Sequence, residues 1–188
     1  DAVTWTPAVP AEFVKNVALS KEGGSGGDGS VVVTNGLPLR PVVPPTKAGH
    51  DFLGYFADAA GEVAGQYYAA DGSGVRRWPD GGPETLCARW RARSFTVKFD
   101  NGGGTSGPEP LTLTYGAVPA SLGVVPSKPD WLFAGYYLDD VCCWDGFGKW
   151  VGGAGTVLSE GADVTLTARY APVAYTVEFY GNGGVNAM

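Results

Sequence analysis

Phe95-Thr96-Val97-Lys98-Phe99-Asp100-Asn101-Gly102-Gly103-Gly104 returns 80 positions later as Tyr175-Thr176-Val177-Glu178-Phe179-Tyr180-Gly181-Asn182-Gly183-Gly184. A recurrence at fixed spacing outranks residue-level readings, because a missed repeat misreads the whole architecture. Working outward, the same offset lays Val17-Ala18-Leu19 on Val97-Lys98-Phe99, and Val31-Val32-Val33-Thr34-Asn35-Gly36 on Leu111-Thr112-Leu113-Thr114-Tyr115-Gly116. One inserted residue then brings Pro45-Thr46-Lys47 onto Pro126-Ser127-Lys128, and Phe52-Leu53-Gly54-Tyr55-Phe56 onto Phe133-Ala134-Gly135-Tyr136-Tyr137. The original offset is restored for Leu86-Cys87-Ala88-Arg89-Trp90 against Leu166-Thr167-Ala168-Arg169-Tyr170. The chain thus reads as residues 1–12 from the end of a preceding repeat or a linker, repeats at 13–92 and 93–172, and the start of a third at 173–188.

The repeated blocks alternate with a period of two. Phe95, Val97 and Phe99 share one face and Thr96 and Lys98 the other, as do Leu166, Ala168 and Tyr170 against Thr165, Thr167 and Arg169. That is the pattern of half-buried strands. Glu22–Ser30 and Gly102–Pro110 are Gly-rich and suit hairpin loops. The Pro-flanked segments 37–47 and 117–129 read as extended connections, with one short helical turn expected near Ala120-Ser121-Leu122. No window carries a sustained helical period. The expected fold class is mainly β or small α+β, built from tandem domains in the manner of beads on a string, since about 80 residues can close a small core.

Composition limits the functions open to such a chain. The 188 residues carry 13 Lys and Arg against 19 Asp and Glu, a net charge of −6. A nucleic-acid partner is not expected, for lack of cations to displace phosphate counterions. Gly and Pro number 30 and 14, yet 44% of residues are hydrophobic and 12% aromatic, enough to build cores. No stretch approaches the ~20 apolar residues of a membrane-spanning helix, so membrane insertion of this segment is not expected. With one His and three Cys, no metal site and no cofactor are expected. Cys87, Cys142 and Cys143 read as free or incidental thiols, because a bond between adjacent cysteines closes a strained ring.

Chemical motifs each meet a plainer reading. Gly24-Ser25-Gly26-Gly27-Asp28-Gly29 spells G-x-G-x-x-G, but a β-type run follows it where a dinucleotide site needs a helix. His50 has no nearby nucleophile and aligns with Trp131, so no catalytic residue is assigned. Asp139, Asp140 and Asp145 form an acidic cluster, and Asp71-Gly72-Ser73-Gly74 faintly resembles a calcium loop; both lack the regular oxygen spacing of a calcium motif and read as solvated turns. Lys98 lies on the polar parity of its strand, against a buried Lys–Asn crosslink. The aromatic inserts, with Tyr67, Tyr68 and Trp78 in one repeat and Trp144, Phe147 and Trp150 in the other, are the least ordinary feature. Packing within their own repeat is the first reading. Tyr67, Tyr68, Trp78, Trp144 and Trp150 are the candidate ligand contacts, since exposed rings on Gly-rich loops can stack on sugars.

At the opening strand and turn (Phe95–Gly103), the aromatic–x–Gly–aromatic–aromatic blocks (Phe52–Phe56, Phe133–Tyr137) and the closing Leu-x-Ala-basic-aromatic strands (Leu86–Trp90, Leu166–Tyr170), the sequence resembles the Listeria–Bacteroides repeat family, which includes the B repeats of listerial internalins. The resemblance covers nearly the whole chain. It departs between Tyr55 and Glu84 and between Tyr136 and Asp163, where these repeats are longer than the family's shortest members. It implies compact β-grasp-like modules on a secreted or surface-anchored bacterial protein. The expected function is that of a non-enzymatic spacer or adhesive segment, monomeric, with a host or bacterial surface protein or glycan as partner; the alternative is a carbohydrate-binding module using the aromatic inserts.

Overall fold

The computed structural model describes residues 13–58, 65–152, 158 and 161–179. Its regular structure is β: β1 (Val14–Ser20), β2 (Ser30–Thr34), β3 (His50–Phe56), β4 (Gln66–Tyr68), β5 (Thr85–Ala92), β6 (Ser94–Asp100), β7 (Leu111–Thr114), β8 (Trp131–Leu138), β9 (Val141–Asp145) and β10 (Val164–Pro172). These form two five-stranded sheets, ordered β2-β1-β5-β3-β4 and β7-β6-β10-β8-β9. The chain divides into two compact units, one holding the first sheet and the other most of the second. Residues 1–12, read from sequence as the end of a preceding repeat or a linker, and residues 180–184 of the repeated block lie outside the described residues.

In the first sheet β1 pairs antiparallel with β2 and parallel with β5, with Leu19 opposite Leu86. In the second, β6 and β10 are parallel with Phe99 opposite Leu166, the same pair shifted by 80. Parallel neighbours need a long crossover between them. The intervening hairpin, β3–β4 or β8–β9, is carried by that crossover and lands on the far side of the closing strand.

Alternation decides which side chains enter the cores. Val17, Leu19, Val33, Leu86 and Ala88 are buried with Tyr55, Tyr67, Tyr68 and Trp78 in the first unit. Val97, Tyr136, Cys143, Trp144, Leu166 and Ala168 are buried in the second. Lys98, Thr165, Thr167 and Arg169 face outward, as the period of two requires.

The helical turn expected at Ala120-Ser121-Leu122 does not form. The backbone there is committed elsewhere: the Trp144 indole donates to Ala120 O at 3.0 Å, and Leu122 N donates to Gly148 O at 2.7 Å. An intrahelical bond would compete for those groups.

Gly54 and Gly135 sit at φ +127° and +143°, next to register shifts in β3 and in the β8–β9 pair. A Cβ at Gly54 would overlap the Tyr68 carbonyl oxygen, and one at Gly135 the Trp144 carbonyl oxygen. Backbone φ and close approach both require glycine there. Gly54→Ala and Gly135→Ala should each lower stability by roughly 2–4 kcal/mol in denaturant titration, whereas Gly36→Ala, at a turn with open space around it, should cost at most about 1 kcal/mol.

Candidate functional site

The aromatic inserts fold as the tip of each sheet. Tyr68 stands opposite Tyr55, and Trp144 opposite Tyr136. From there the two turns are the same object. Ala69 N donates to Ser73 O and Gly72 N to Ala69 O; Asp145 N donates to Lys149 O and Gly148 N to Asp145 O. Gly72 and Gly148 share a positive φ, +83° and +74°. Their carbonyls accept from Val42 N and Leu122 N, which ties each tip to the preceding connection. Tyr68-x-x-x-Gly72 and Trp144-x-x-x-Gly148 are the sequence signal of this shared turn.

The candidate ligand contacts divide by burial. Tyr67, Tyr68, Trp78 and Trp144 are buried, at 5%, 0%, 1% and 0% exposure, and offer no ring face to a ligand. Trp78 packs on Tyr67 at 5.1 Å between ring centroids. Trp150 is half-buried, edge-on to Trp144 at 4.8 Å. The solvent-facing aromatic of the inserts is Phe147, 92% exposed. Its rigid turn is built by Asp145, whose Oδ1 accepts from both Phe147 N and Lys149 N at 2.9 Å. At the equivalent place in the first unit stands Asp71, whose Oδ1 accepts from Ser73 N and Ser73 Oγ. Those bonds hold the Asp71 carboxyl below the usual carboxylate range.

The remaining chemical candidates are dispersed. Asp140 pairs with Arg169 at 2.9 Å, away from the turn Asp145 builds, and no group of three metal-type ligands occurs among the described residues. The Gly24–Gly29 loop closes a strand hairpin: Asp28 Oδ2 accepts from Val43 N, and Ser25 bridges to Thr46. His50 Nδ1 lies 2.7 Å from Ala48 O. Cys142 and Cys143 alternate along β9, so one is half-buried and the other buried; all three cysteines are free. Burial pushes the Cys143 thiol pKa up, away from a reactive thiolate.

A second recurring constellation emerges only in three dimensions. Lys47 Nζ donates to Glu22 O at 3.0 Å and stands 5.8 Å from the Trp90 ring centroid. Lys128 Nζ donates to Gly102 O at 3.2 Å and stands 5.1 Å from the Tyr170 ring and 5.5 Å from the Trp131 ring. Beneath each lysine, the ring of the closing strand reaches the first hairpin turn: Trp90 Nε1 donates to Lys21 O at 2.9 Å, and Tyr170 OH to Asn101 O at 2.6 Å. Each staple joins opening turn, crossover and closing strand.

The units differ at one buried bond. Tyr136 OH donates to Asn101 Oδ1 at 2.6 Å. Lys21 occupies the place of Asn101 in the first unit, and the Tyr55 hydroxyl there has no partner among the described residues; nor has that of Tyr68, where the second unit has the bonded Trp144. Burial pushes the pKa values of Tyr55 and Tyr68 up to about 12.

No protein-family model and no solved structure matches the chain. Two proteins of Evansella cellulosilytica are similar to it. One, named "Putative Gly-rich membrane protein", is 30% identical over 152 residues, covering 79% of this chain and 15% of that protein. The other, named "Putative membrane protein", is 29% identical over 148 residues, covering 78% of this chain and 19% of that protein. The chain therefore spans less than a fifth of either relative. No helix among the described residues is long and apolar enough to cross a membrane.

Trp144→Ala should cost roughly 3–5 kcal/mol in denaturant unfolding, as large-to-small core changes do, while Phe147→Ala should fall within about 0.5 kcal/mol of wild type. Lys21→Asn should stabilise the first unit by about 1 kcal/mol, and Tyr136→Phe should destabilise the second by a similar amount, since one makes and the other removes a buried hydrogen bond. For Tyr55 and Tyr68 the folded state favours the neutral phenol, so their contribution is complete below about pH 10, the ordinary tyrosine value, and is lost as pH rises toward 12. Alkaline titration of wild type should show that loss, and Tyr55→Phe should reduce it.

Proposed function

We propose that the chain is a tandem of β-grasp-like modules of the Listeria–Bacteroides type, 13–92 and 93–172 with 173–188 opening a third, serving as a non-catalytic spacer or adhesive segment of a secreted or surface-displayed bacterial protein. The observation that carries this reading is the recurrence of whole staples. Lys47 and Lys128, with Trp90 and Tyr170, make the same ties one repeat apart. Two antiparallel hairpins flanking a parallel central pair support the β-grasp-like description, with an extended connection in place of a covering helix. The non-catalytic reading rests on where the reactive side chains place their bonds: Asp71 and Asp145 on their own turns, His50 beside a backbone carbonyl, and Cys143 inside the core. The relatives' names support a parent protein attached to a bacterial membrane.

Burial of Tyr67, Tyr68, Trp78 and Trp144 favours the spacer reading over sugar binding through those rings. Residues 93–172 expressed alone should unfold cooperatively, and the full chain should give a blank glycan array. An insoluble or molten 93–172 would mean that the repeats share a core. A glycan signal abolished by Phe147→Ala without loss of stability would replace the spacer with a binding module.

A further inference from the structure

A cleft of about 300 Å³ opens in the first unit, lined by the crossover, β3 and the end of β5. Its apolar wall is Pro44, Pro45, Phe52 and Trp90, and its polar groups are Lys47, His50, Asp51 and Arg93. Phe52 and Trp90 pack at 5.3 Å between ring centroids, which makes the wall one aromatic surface. A concave apolar wall with a few convergent polar groups is the usual form of a ligand site.

The polar groups leave the cleft cationic. Asp51 Oδ1 accepts from Arg93 Nε at 2.7 Å, and Oδ2 from Arg91 Nη2 at 3.3 Å. Those bonds hold the Asp51 carboxyl below the usual carboxylate range, and one carboxylate against two guanidiniums leaves positive charge over. Lys47 adds to it. Its Nζ uses one of three donors on Glu22 O and has no ion-pair partner among the described residues, while the Glu22 carboxylate accepts from Ser20 Oγ. His50 keeps Nδ1 beside Ala48 O and has Nε2 left for another partner. This positive site stands out in a chain of net charge −6.

The second unit shows which of these groups the fold needs. It has Lys128, Phe133 and Tyr170 in the places of Lys47, Phe52 and Trp90. In the places of His50, Asp51, Arg91 and Arg93, however, stand Trp131, Leu132, Ala171 and Val173. The register is unchanged, since Leu132 opposes Ala171 as Asp51 opposes Arg91. The sheet therefore does not require the charged cluster. Trp131 also stands 5.5 Å from Lys128 Nζ, whereas His50 packs T-shaped on Tyr115 of its own unit and leaves Lys47 lining an open cleft.

We propose that the cleft of the first unit binds an acidic peptide segment of a partner protein, taking a Glu or Asp carboxylate between Lys47 and Arg93 and an adjacent apolar side chain against Phe52 and Trp90. Charge complementarity selects the carboxylate, and hydrogen bonds between ionised groups are the strong kind. The aromatic wall selects the apolar neighbour. A bare phosphate would leave the wall wet, and an uncharged ligand would leave the cations unpaired. The site rests on the adhesive side of the proposed function and names its partner's chemistry; cooperative folding of 93–172, which tests the modular reading, is independent of it.

The probe is the capped dipeptide acetyl-Glu-Phe-amide, titrated into the full chain and followed by NMR at the Trp90 indole N–H and at His50. Binding should saturate with a dissociation constant of roughly 0.1–5 mM, the range open to so small a ligand. Acetyl-Gln-Phe-amide and acetyl-Glu-Ala-amide should each bind roughly tenfold more weakly, and raising salt from about 0.05 to 0.5 M should weaken binding several-fold. His50→Trp installs the second unit's ring, and Asp51→Leu with Arg91→Ala and Arg93→Val installs its uncharged surface. Either variant should abolish binding with an unfolding midpoint near wild type, since the second sheet carries these residues in the same register. The glutamine-peptide and salt arms need no mutation and hold even where a variant fails to fold. No saturable shift, equal affinity for the glutamine peptide, or binding that survives both variants would overturn the proposal. Inorganic phosphate displacing the dipeptide at equal concentration would also overturn it, by showing an anion site without the apolar contact.

Discussion

The parallel pairing of opening and closing strands, β1 with β5 and β6 with β10, is the constraint from which the rest of each unit follows. Parallel neighbours cannot be joined by a tight turn, so the chain must leave the sheet, cross over and return. What lies within the crossover is then held against the far side of the closing strand, as the second hairpin. The lysine staple acts at the same seam. Lys47 or Lys128 comes from the crossover, its carbonyl partner from the first hairpin turn and its aromatic partner from the closing strand. Three segments far apart in sequence meet through one side chain.

The aromatic inserts are the mechanical continuation of that arrangement. Each contributes one large ring, Tyr68 or Trp144, directly opposite the tyrosine of the preceding strand, and each closes in a turn whose glycine carbonyl ties back to the crossover. The ring fills the core while the turn fixes its entry. Phe147 is the exception. The equivalent turn in the first unit is satisfied with Asp71, so the fold does not demand an aromatic at that position.

Divergence between the units is concentrated in polar partners of buried groups. Asn101 gives the second unit two ties, through its side chain to Tyr136 and through its carbonyl to Tyr170. Lys21 keeps only the carbonyl tie, to Trp90, and leaves the Tyr55 hydroxyl without a partner among the described residues. The backbone interaction tolerates any side chain; the side-chain interaction does not. The two units therefore differ in how completely their interiors are bonded.

The sequence by itself determined the strands, their inward faces and the spacing of the repeat. These depend on local alternation and on the glycines at 54 and 135, whose backbone conformations are inscribed in the residue type. It also placed packing first among the readings of the aromatic inserts. What it left open were relations between residues at different offsets. Trp144 matches Tyr68 at a spacing of 76 rather than 80, because the inserts differ in length before the shared turn. The expected helical turn at Ala120 failed for a similar reason, since local propensity could not register that Trp144 and Gly148 would claim its polar groups. Which rings are buried, which lysine reaches which carbonyl and which cleft stays open were decided only by the tertiary structure. Those properties belong to partners brought together by the crossover, and no single stretch of chain contains both.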